Sequence, residues 1–359
     1  MIGKHILALT TDSFGGQGGI AVYARDMIAA IAARDDVAEV VVVALVVPDA
    51  PQAIPPKVRF RNCSAGGKTA YVAEVARLAL TRFDAVWAAH RSLAPLALMA
   101  AARGGARIGI SLHGSEVWER AGPLTEMALR RADLLMPVSQ VTLDRYLSAR
   151  GESTRAHRIL PGAVDLQRFT PGAKPPYLIQ RYGLEERRVL LSMARLGEDY
   201  REKGFARMFA ALPALRSRFP DLVYVIGGDG PFRHVVERAA RVAGVAEMVR
   251  FIGFVAEAEK PDHYRMADAF ILPSTGEGLG IVLLEAQACG VPAIASSFDG
   301  GREAVDGMGW AIDPHDPAAI GAALAEAFAR GHRQLAGIKA FGVAEFNERA
   351  NAAVDRLLA

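Results

Sequence analysis

Residues Ala269–Ala295, AFILPSTGEGLGIVLLEAQACGVPAIA, decide the fold. Ala269–Leu272 is a short apolar run that stops at Pro273, as a buried strand does. Gly276, Gly278 and Gly280 make the next stretch a loop, and Ile281–Cys289 returns to an apolar pattern of helical length. Gly290 ends that helix, and Pro292–Ala295 reads as a second strand. Strand, glycine-rich loop, helix and strand make a βαβ unit, which pairs its strands in parallel and covers the sheet with the helix.

The same alternation extends outward. Upstream, Val189–Ala194, Leu222–Ile226 and Val249–Ile252 read as strands, and Phe205–Phe219 and Phe232–Ala243 as helices; Pro317–Phe328 is a further helix downstream. The first half repeats the pattern. His5–Thr10, Val40–Val47, Ala85–Ala88, Arg107–Leu112 and Leu134–Val138 are strand-like, and Ile20–Ala33, Ala70–Thr81 and Leu93–Arg103 helical. Between the halves, Phe169–Pro176 is dense in Pro and Gly and reads as a linker. The expected organisation is α/β, with two doubly wound Rossmann-like units of parallel sheet. The expected bounds are 1–168 for the first domain, 169–340 for the second, and 341–359 for a C-terminal helix packing back on the first.

Bulk properties narrow the class. The 359 residues are 51% hydrophobic and 23% charged, an ordinary globular balance. No apolar run approaches the roughly 20 residues of a membrane-spanning helix. The first residues, Met1 to Leu7, lack a signal-peptide layout and read as the first strand. Cys63 and Cys289 have no disulfide or metal-ligand spacing, which points to reduced, buried thiols and a cytoplasmic protein. The net charge is +3, with basic residues in excess in the first half; that surplus suits an anionic lipid or is ordinary surface variation. Arg130, Arg131, Arg145 and Arg150, interleaved with leucines and Tyr146, read as a solvated helix face over a core, with a basic membrane-facing surface as the alternative.

The chemistry concentrates at the strand ends of the second half. Backbone N–H groups at Gly278–Ile281, where a helix starts, attract an anion, and glycines allow close approach. Glu277 lies before this nest and Glu285 about a turn after it. Carboxylates accept hydrogen bonds from hydroxyls, so the order hydroxyl, phosphate, hydroxyl describes a nucleotide sugar. The plain alternative is a capped helix with solvent-facing glutamates. Upstream, Arg195 closes one strand and Lys203 opens the next helix, two cations suited to a pyrophosphate. In the first half, Phe14-Gly15-Gly16-Gln17-Gly18-Gly19-Ile20 joins strand to helix, and His113 ends a strand before Gly114, with Glu116 and Asp12 as weaker neighbours. Gly66-Gly67-Lys68-Thr69 is no P-loop, because Asn62 stands where glycine is needed. Gly227-Gly228-Asp229-Gly230 lacks the dinucleotide glycine spacing.

Arg195…Lys203, Ile226-Gly227-Gly228-Asp229-Gly230-Pro231, and Glu277-x7-Glu285 followed by Ala286-Gln287-Ala288-Cys289-Gly290-Val291-Pro292 resemble the retaining glycosyltransferases of family 4. The resemblance spans nearly the whole chain and implies the GT-B fold, two Rossmann-like domains facing across a cleft. It implies that Arg195 and Lys203 contact the donor diphosphate, Glu277 the transferred sugar and Glu285 the ribose. Gly278, Leu279, Gly280 and Ile281 would surround sugar and phosphate, and Gly16, Gly18 and Gly19 would touch the donor or acceptor side. His113 would lie close to the transferred sugar. In similar mannosyltransferases a Val and a Lys five residues on sit beside guanine; Val255 and Lys260 match, which inclines the donor to GDP-mannose. The implied activity is metal-independent, retaining hexosyl transfer to a glycan or lipid-linked saccharide in glycoconjugate synthesis. It uses no cofactor and no nucleic-acid partner, at the inner face of a membrane with a peripheral contact. A sugar-nucleotide epimerase and a non-catalytic nucleotide-sugar binder are the rivals.

Overall fold

A computed structural model describes residues 3–16, 18–48, 50–51 and 53–359. Met1 and Ile2 of the first strand reading, and Gln17 of the glycine loop, lie outside the described residues. The chain forms two compact units, residues 1–163 with 343–359, and residues 164–342.

The first unit holds β1 (Lys4–Asp12), β2 (Val37–Val46), β3 (Val58–Asn62), β4 (Ala85–Ala88), β5 (Arg107–Leu112) and β6 (Leu134–Pro137). They form one sheet in the order β3-β2-β1-β4-β5-β6, every pair parallel. β2 owes its place to Val40–Val43, all buried, because an inner parallel strand is covered on both faces. Burying each such side chain contributes roughly 1.5–3 kcal/mol. The last helix, Val343–Leu358, belongs to this unit and packs on the helix Gly19–Ala33 and on β5. Phe346 meets the Tyr23 ring edge-on at 5.7 Å, and Arg34 pairs with Asp355 at 2.6 Å.

The second unit holds β7 (Arg188–Met193), β8 (Leu222–Gly227), β9 (Val249–Gly253), β10 (Ala269–Leu272), β11 (Ala293–Ser296) and β12 (Trp310–Ile312). Their order, β12-β11-β10-β7-β8-β9, repeats that of the first sheet, again all parallel. This is the doubly wound dinucleotide-binding order, in which ligands sit beyond the carboxyl ends of strands where the winding reverses. Those points fall between β1 and β4 in one unit, and between β7 and β10 in the other.

Two expectations are corrected. Phe169–Pro176 is no free linker. It lies inside the second unit, with Phe169 buried, Thr170 held by Arg265 at 2.9 Å, and Pro176 opening the helix Pro176–Tyr182. Arg150 is no surface cation. Its side chain is sealed, forks onto Glu126 at 2.7 and 2.9 Å, and donates to the carbonyls of Val117 and Tyr146. A buried guanidinium needs such full pairing.

Candidate active site

At the switch point of the second unit, two loops are pinned together by backbone. Gly204 has φ +80°, and a Cβ there would stand 2.0 Å from the Pro273 carbonyl oxygen, so no other residue fits. Thr275 N–H donates to the Glu202 carbonyl at 2.9 Å. This juxtaposition brings Lys203 Nζ to 2.7 Å from Glu277 Oε1 and 3.0 Å from Asp199 Oδ2. Burial alone would lower the Lys203 pKa; the two carboxylates outweigh it and hold the ammonium above the usual lysine range. Arg195, just past β7, is exposed and forms no ion pair among the described residues. The structure therefore joins Lys203 to Glu277 and leaves Arg195 open to solvent.

Asp299, 1% exposed, anchors the loop from the far side. Its Oδ2 accepts from Glu277 N–H and its Oδ1 from Gly301 N–H, both at 2.9 Å, while Gly300 N–H donates to the Glu277 carbonyl. Gly280, at φ +82°, turns the chain into the helix Ile281–Ala288. The amides of Leu279, Gly280 and Ile281 find no acceptor among the described residues, which leaves a cluster of donors at a helix start.

Glu285 follows one turn later and is 7% exposed. Its Oε2 accepts from the Tyr264 hydroxyl at 2.5 Å, and its Oε1 lies 3.6 Å from Lys260 Nζ. Lys260 pairs more closely with Glu257, at 2.6 Å, and Glu257 also receives Arg168 at 3.3 Å. Burial pushes the Glu285 carboxyl above the usual glutamate range, against the opposing pull of Lys260 and the Tyr264 hydrogen bond. Val255 is buried near Gly227, where an added Cβ would come within 3.4 Å of its methyl. Of the residues singled out in the sequence, the structure brings Lys203 to Glu277 and Lys260 to Glu285; the sequence also pointed to Arg195, which stays apart. Sequence reasoning missed Asp199, Glu257, Tyr264 and Asp299; only Asp299, before Gly300-Gly301, carried a local turn signal.

In the first unit the loop after β1 approaches itself closely. A Cβ on Gly16 would stand 1.6 Å from Asp12 Oδ1, so a larger residue there would have to displace that carboxylate. Arg25 donates to the carbonyls of Ser13 and Gly16 at 2.9 and 2.7 Å. Gly18 has φ +97° with open space around it, and Gly19 begins the first helix. After β5, the His113 N–H donates to Glu116 Oε1 at 2.5 Å, and its ring Nε2 lies 2.6 Å from the Ala89 carbonyl. Tyr23 packs edge-on at 4.9 Å. Burial pushes the His113 pKa down to about 4, so the ring is neutral near pH 7. His90, after β4, lies nearly parallel to it at 6.1 Å.

The profile of Glycosyltransferase Family 4 matches residues 17–168, and that of Glycosyl transferases group 1 matches residues 178–338. A GDP-mannose-dependent alpha-(1-6)-phosphatidylinositol monomannoside mannosyltransferase of Mycolicibacterium smegmatis is 40% identical over 270 residues, covering 70% of this chain and 69% of that protein. The chain belongs to glycosyltransferase family 4. A second family-4 relative, the GDP-mannose-dependent monoacylated alpha-(1-6)-phosphatidylinositol monomannoside mannosyltransferase of Corynebacterium glutamicum, is 34% identical over 239 residues, covering 62% of this chain and 61% of that one. Among solved structures, Anabaena HepE in complex with UDP and glucose superposes with TM-score 0.77 at 19% identity, over 98% of this chain and 99% of that one. Sucrose-phosphate synthase of Thermosynechococcus elongatus gives 0.73 at 19% identity, over 98% and 95%. At such identity these structures establish the shared GT-B fold. Among the described residues no helix of this family-4 chain is long and apolar enough to cross a membrane, and no group of three or more His, Cys, Asp or Glu residues is placed to hold a metal.

Proposed function

We propose that this glycosyltransferase moves mannose from GDP-mannose to a lipid-linked, phosphatidylinositol-type saccharide, with retention at the anomeric carbon. One observation carries the donor assignment. Glu277 and Glu285 stand on either side of the unpaired amides at 279–281, and each carboxylate already holds a cation or hydroxyl donor. A diphosphate fits the amides and Arg195; hydroxyls fit the carboxylates. Glu277 then takes the transferred sugar and Glu285 the ribose, with Val255 and Lys260 at the base. The donor's identity is supported by relatives that are GDP-mannose-dependent, and the acceptor class by their phosphatidylinositol monomannoside substrates.

In the reaction, the bond between the sugar's anomeric carbon and the β-phosphate oxygen breaks, and the oxygen keeps the electron pair. Arg195, Lys203 and the loop amides meet that charge as it grows. The acceptor oxygen adds on the face the phosphate leaves, and its proton passes to the departing phosphate oxygen. On the first unit, His113 and the glycine loop at Gly16, Gly18 and Gly19 are the candidate groups for the sugar or the acceptor. Work on a lipid acceptor places the enzyme next to a membrane, on its cytoplasmic face.

The test is a panel of nucleotide sugars scored for nucleotide release, with and without phosphatidylinositol monomannoside in detergent and with excess chelator. Acceptor-dependent release of GDP that survives the chelator is expected. Release of free, altered sugar without acceptor would indicate an epimerase, and binding without turnover a receptor. Abolition by chelator with rescue by Mg²⁺ would remove the metal-free mechanism.

A further inference from the structure

The two histidines at the carboxyl ends of β4 and β5 have their protons assigned by their partners. His90 Nδ1 lies 3.2 Å from Ser92 N and 2.9 Å from Ser92 Oγ. A backbone N–H can only donate, so Nδ1 is the acceptor and the ring proton sits on Nε2. His113 is the reverse. Its Nε2 lies 2.6 Å from the Ala89 carbonyl oxygen, which can only accept, so Nε2 carries the proton and Nδ1 is a bare lone pair. Burial holds both rings below the usual histidine pKa, in keeping with one proton on each.

Each ring thus has one nitrogen committed and one left over. His90 Nε2–H and His113 Nδ1 have no partner among the described residues, and neither is among the sealed polar atoms that lack one. The rings are within 11° of parallel, with centroids 6.1 Å apart. His113 is further fixed by Tyr23, whose ring packs against it and whose hydroxyl is tied to Ser111 at 3.4 Å.

We propose that His90 Nε2–H and His113 Nδ1 form a donor–acceptor pair that binds hydroxyl groups of a polyol substrate and rejects an anion. A hydroxyl donates to one ring and accepts from the other, alone or through adjacent hydroxyls of one sugar or cyclitol. A phosphate or carboxylate oxygen would set its lone pairs against that of His113. His90 therefore joins His113 as a substrate-binding residue, which no motif in the sequence singled out. The inference rests on the glycosyl-transfer reading above. The hydroxyl belongs to the acceptor or to the transferred mannose, and the experiment separates these sources.

The test uses His90→Asn and His90→Gln. Asparagine places an acceptor where Nδ1 stands, so it keeps the turn at Ser92 and loses the outer N–H. Glutamine reaches the position of Nε2 and loses the turn. If the pair binds substrate, Asn raises a KM by about tenfold, the loss of a hydrogen bond, while Gln recovers much of it and GDP affinity is unchanged in both. A rise in acceptor KM assigns the hydroxyl to the acceptor; a rise in GDP-mannose KM, with GDP unaffected, assigns it to the transferred sugar. Native kinetics in His90→Asn with defects in His90→Gln would leave His90 a structural cap and overturn the proposal. Separately, inorganic phosphate titrated against the wild-type imidazole Cε1–H resonances is expected to move neither; shifts with phosphate would also overturn it. A wild-type chain inert toward every donor and acceptor would sink the functional reading instead. Titration with myo-inositol on the same resonances then decides the pair by itself, and the absence of shifts counts against it.

Discussion

Replacing Tyr264 by Phe isolates one hydrogen bond beneath the proposed donor site. The ring keeps its packing, since Tyr264 contacts Phe169 and Phe270 edge-on at 6.0 and 5.6 Å. Only the hydroxyl is lost, and it donates to Glu285 Oε2 at 2.5 Å. Lys260 still pulls on the Glu285 carboxylate, more strongly than the hydroxyl does, but from 3.6 Å and shared with Glu257 at 2.6 Å it does not replace the lost hydrogen bond. A hydrogen bond to a buried charge is worth about 1.5–3 kcal/mol, so GDP should bind roughly 10- to 150-fold more weakly. The sign of the pH dependence follows from the carboxyl. Burial already raises the Glu285 pKa, so ionising this group costs the free protein stability as pH rises through the folded value; losing the Tyr264 bond raises the pKa further. Ribose hydroxyls are held best by the ionised carboxylate. The deficit should be larger at roughly pH 5.5 than at roughly pH 8. Calorimetric titration of GDP against wild type and Tyr264→Phe at both pH values measures this. Equal GDP affinity at both pH values would refute the idea that Tyr264 prepares Glu285 for the ribose.

Two further predictions follow from the site. Glu277→Gln should slow transfer by roughly 10- to 100-fold, the worth of a charge-assisted bond, yet leave GDP affinity unchanged or tightened, because Lys203 loses its 2.7 Å partner; Glu285→Gln should weaken GDP itself, and equal effects on GDP and GDP-mannose in both variants would mean the carboxylates do not divide the donor. His113, with a folded pKa of about 4 against an ordinary 6.5, stays neutral where an unfolded histidine takes a proton, so its contribution is present above about pH 6.5 and is lost as pH falls toward 4. That loss amounts to roughly 3 kcal/mol and should be missing from urea unfolding curves of His113→Asn; parallel pH profiles of the two proteins would count against a buried neutral ring.

How much of this was legible follows from where the physics is local. Inner parallel strands are buried on both faces, so β2 with Val40–Val43 and β10 with Ala269–Leu272 show as apolar runs. β3 was not found because Val58-Arg59-Phe60-Arg61-Asn62 is a half-exposed edge strand, and β12 spans only three residues. The glycine loop and its glutamates stand out in the sequence because a strand–loop–helix turn has its residues in succession. Their supports were not, because the sheet supplies them at a distance: Tyr264 is 21 residues from Glu285, and Asp299 is 22 from Glu277. Proline and glycine density misled at Phe169–Pro176, where Pro176 starts a helix instead of spacing two domains.

The Lys203–Glu277 pair shows what such distance conceals. The family resemblance implies Lys203 for the diphosphate and Glu277 for the sugar, as independent groups. They lie 74 positions apart, yet are joined at 2.7 Å across loops that only Gly204 allows so close. In the proposed function a donor must then take both partners at once. Its phosphate offers Lys203 a new anion, and its sugar hydroxyls offer Glu277 new donors, so neither side chain is left as a bare buried charge. GDP alone satisfies Lys203 and leaves Glu277 without a partner, whereas GDP-mannose satisfies both. On that reading, selectivity for intact donor over spent nucleotide is expected to rest on this one ion pair, and to shrink when Glu277→Gln removes the charge that GDP strands.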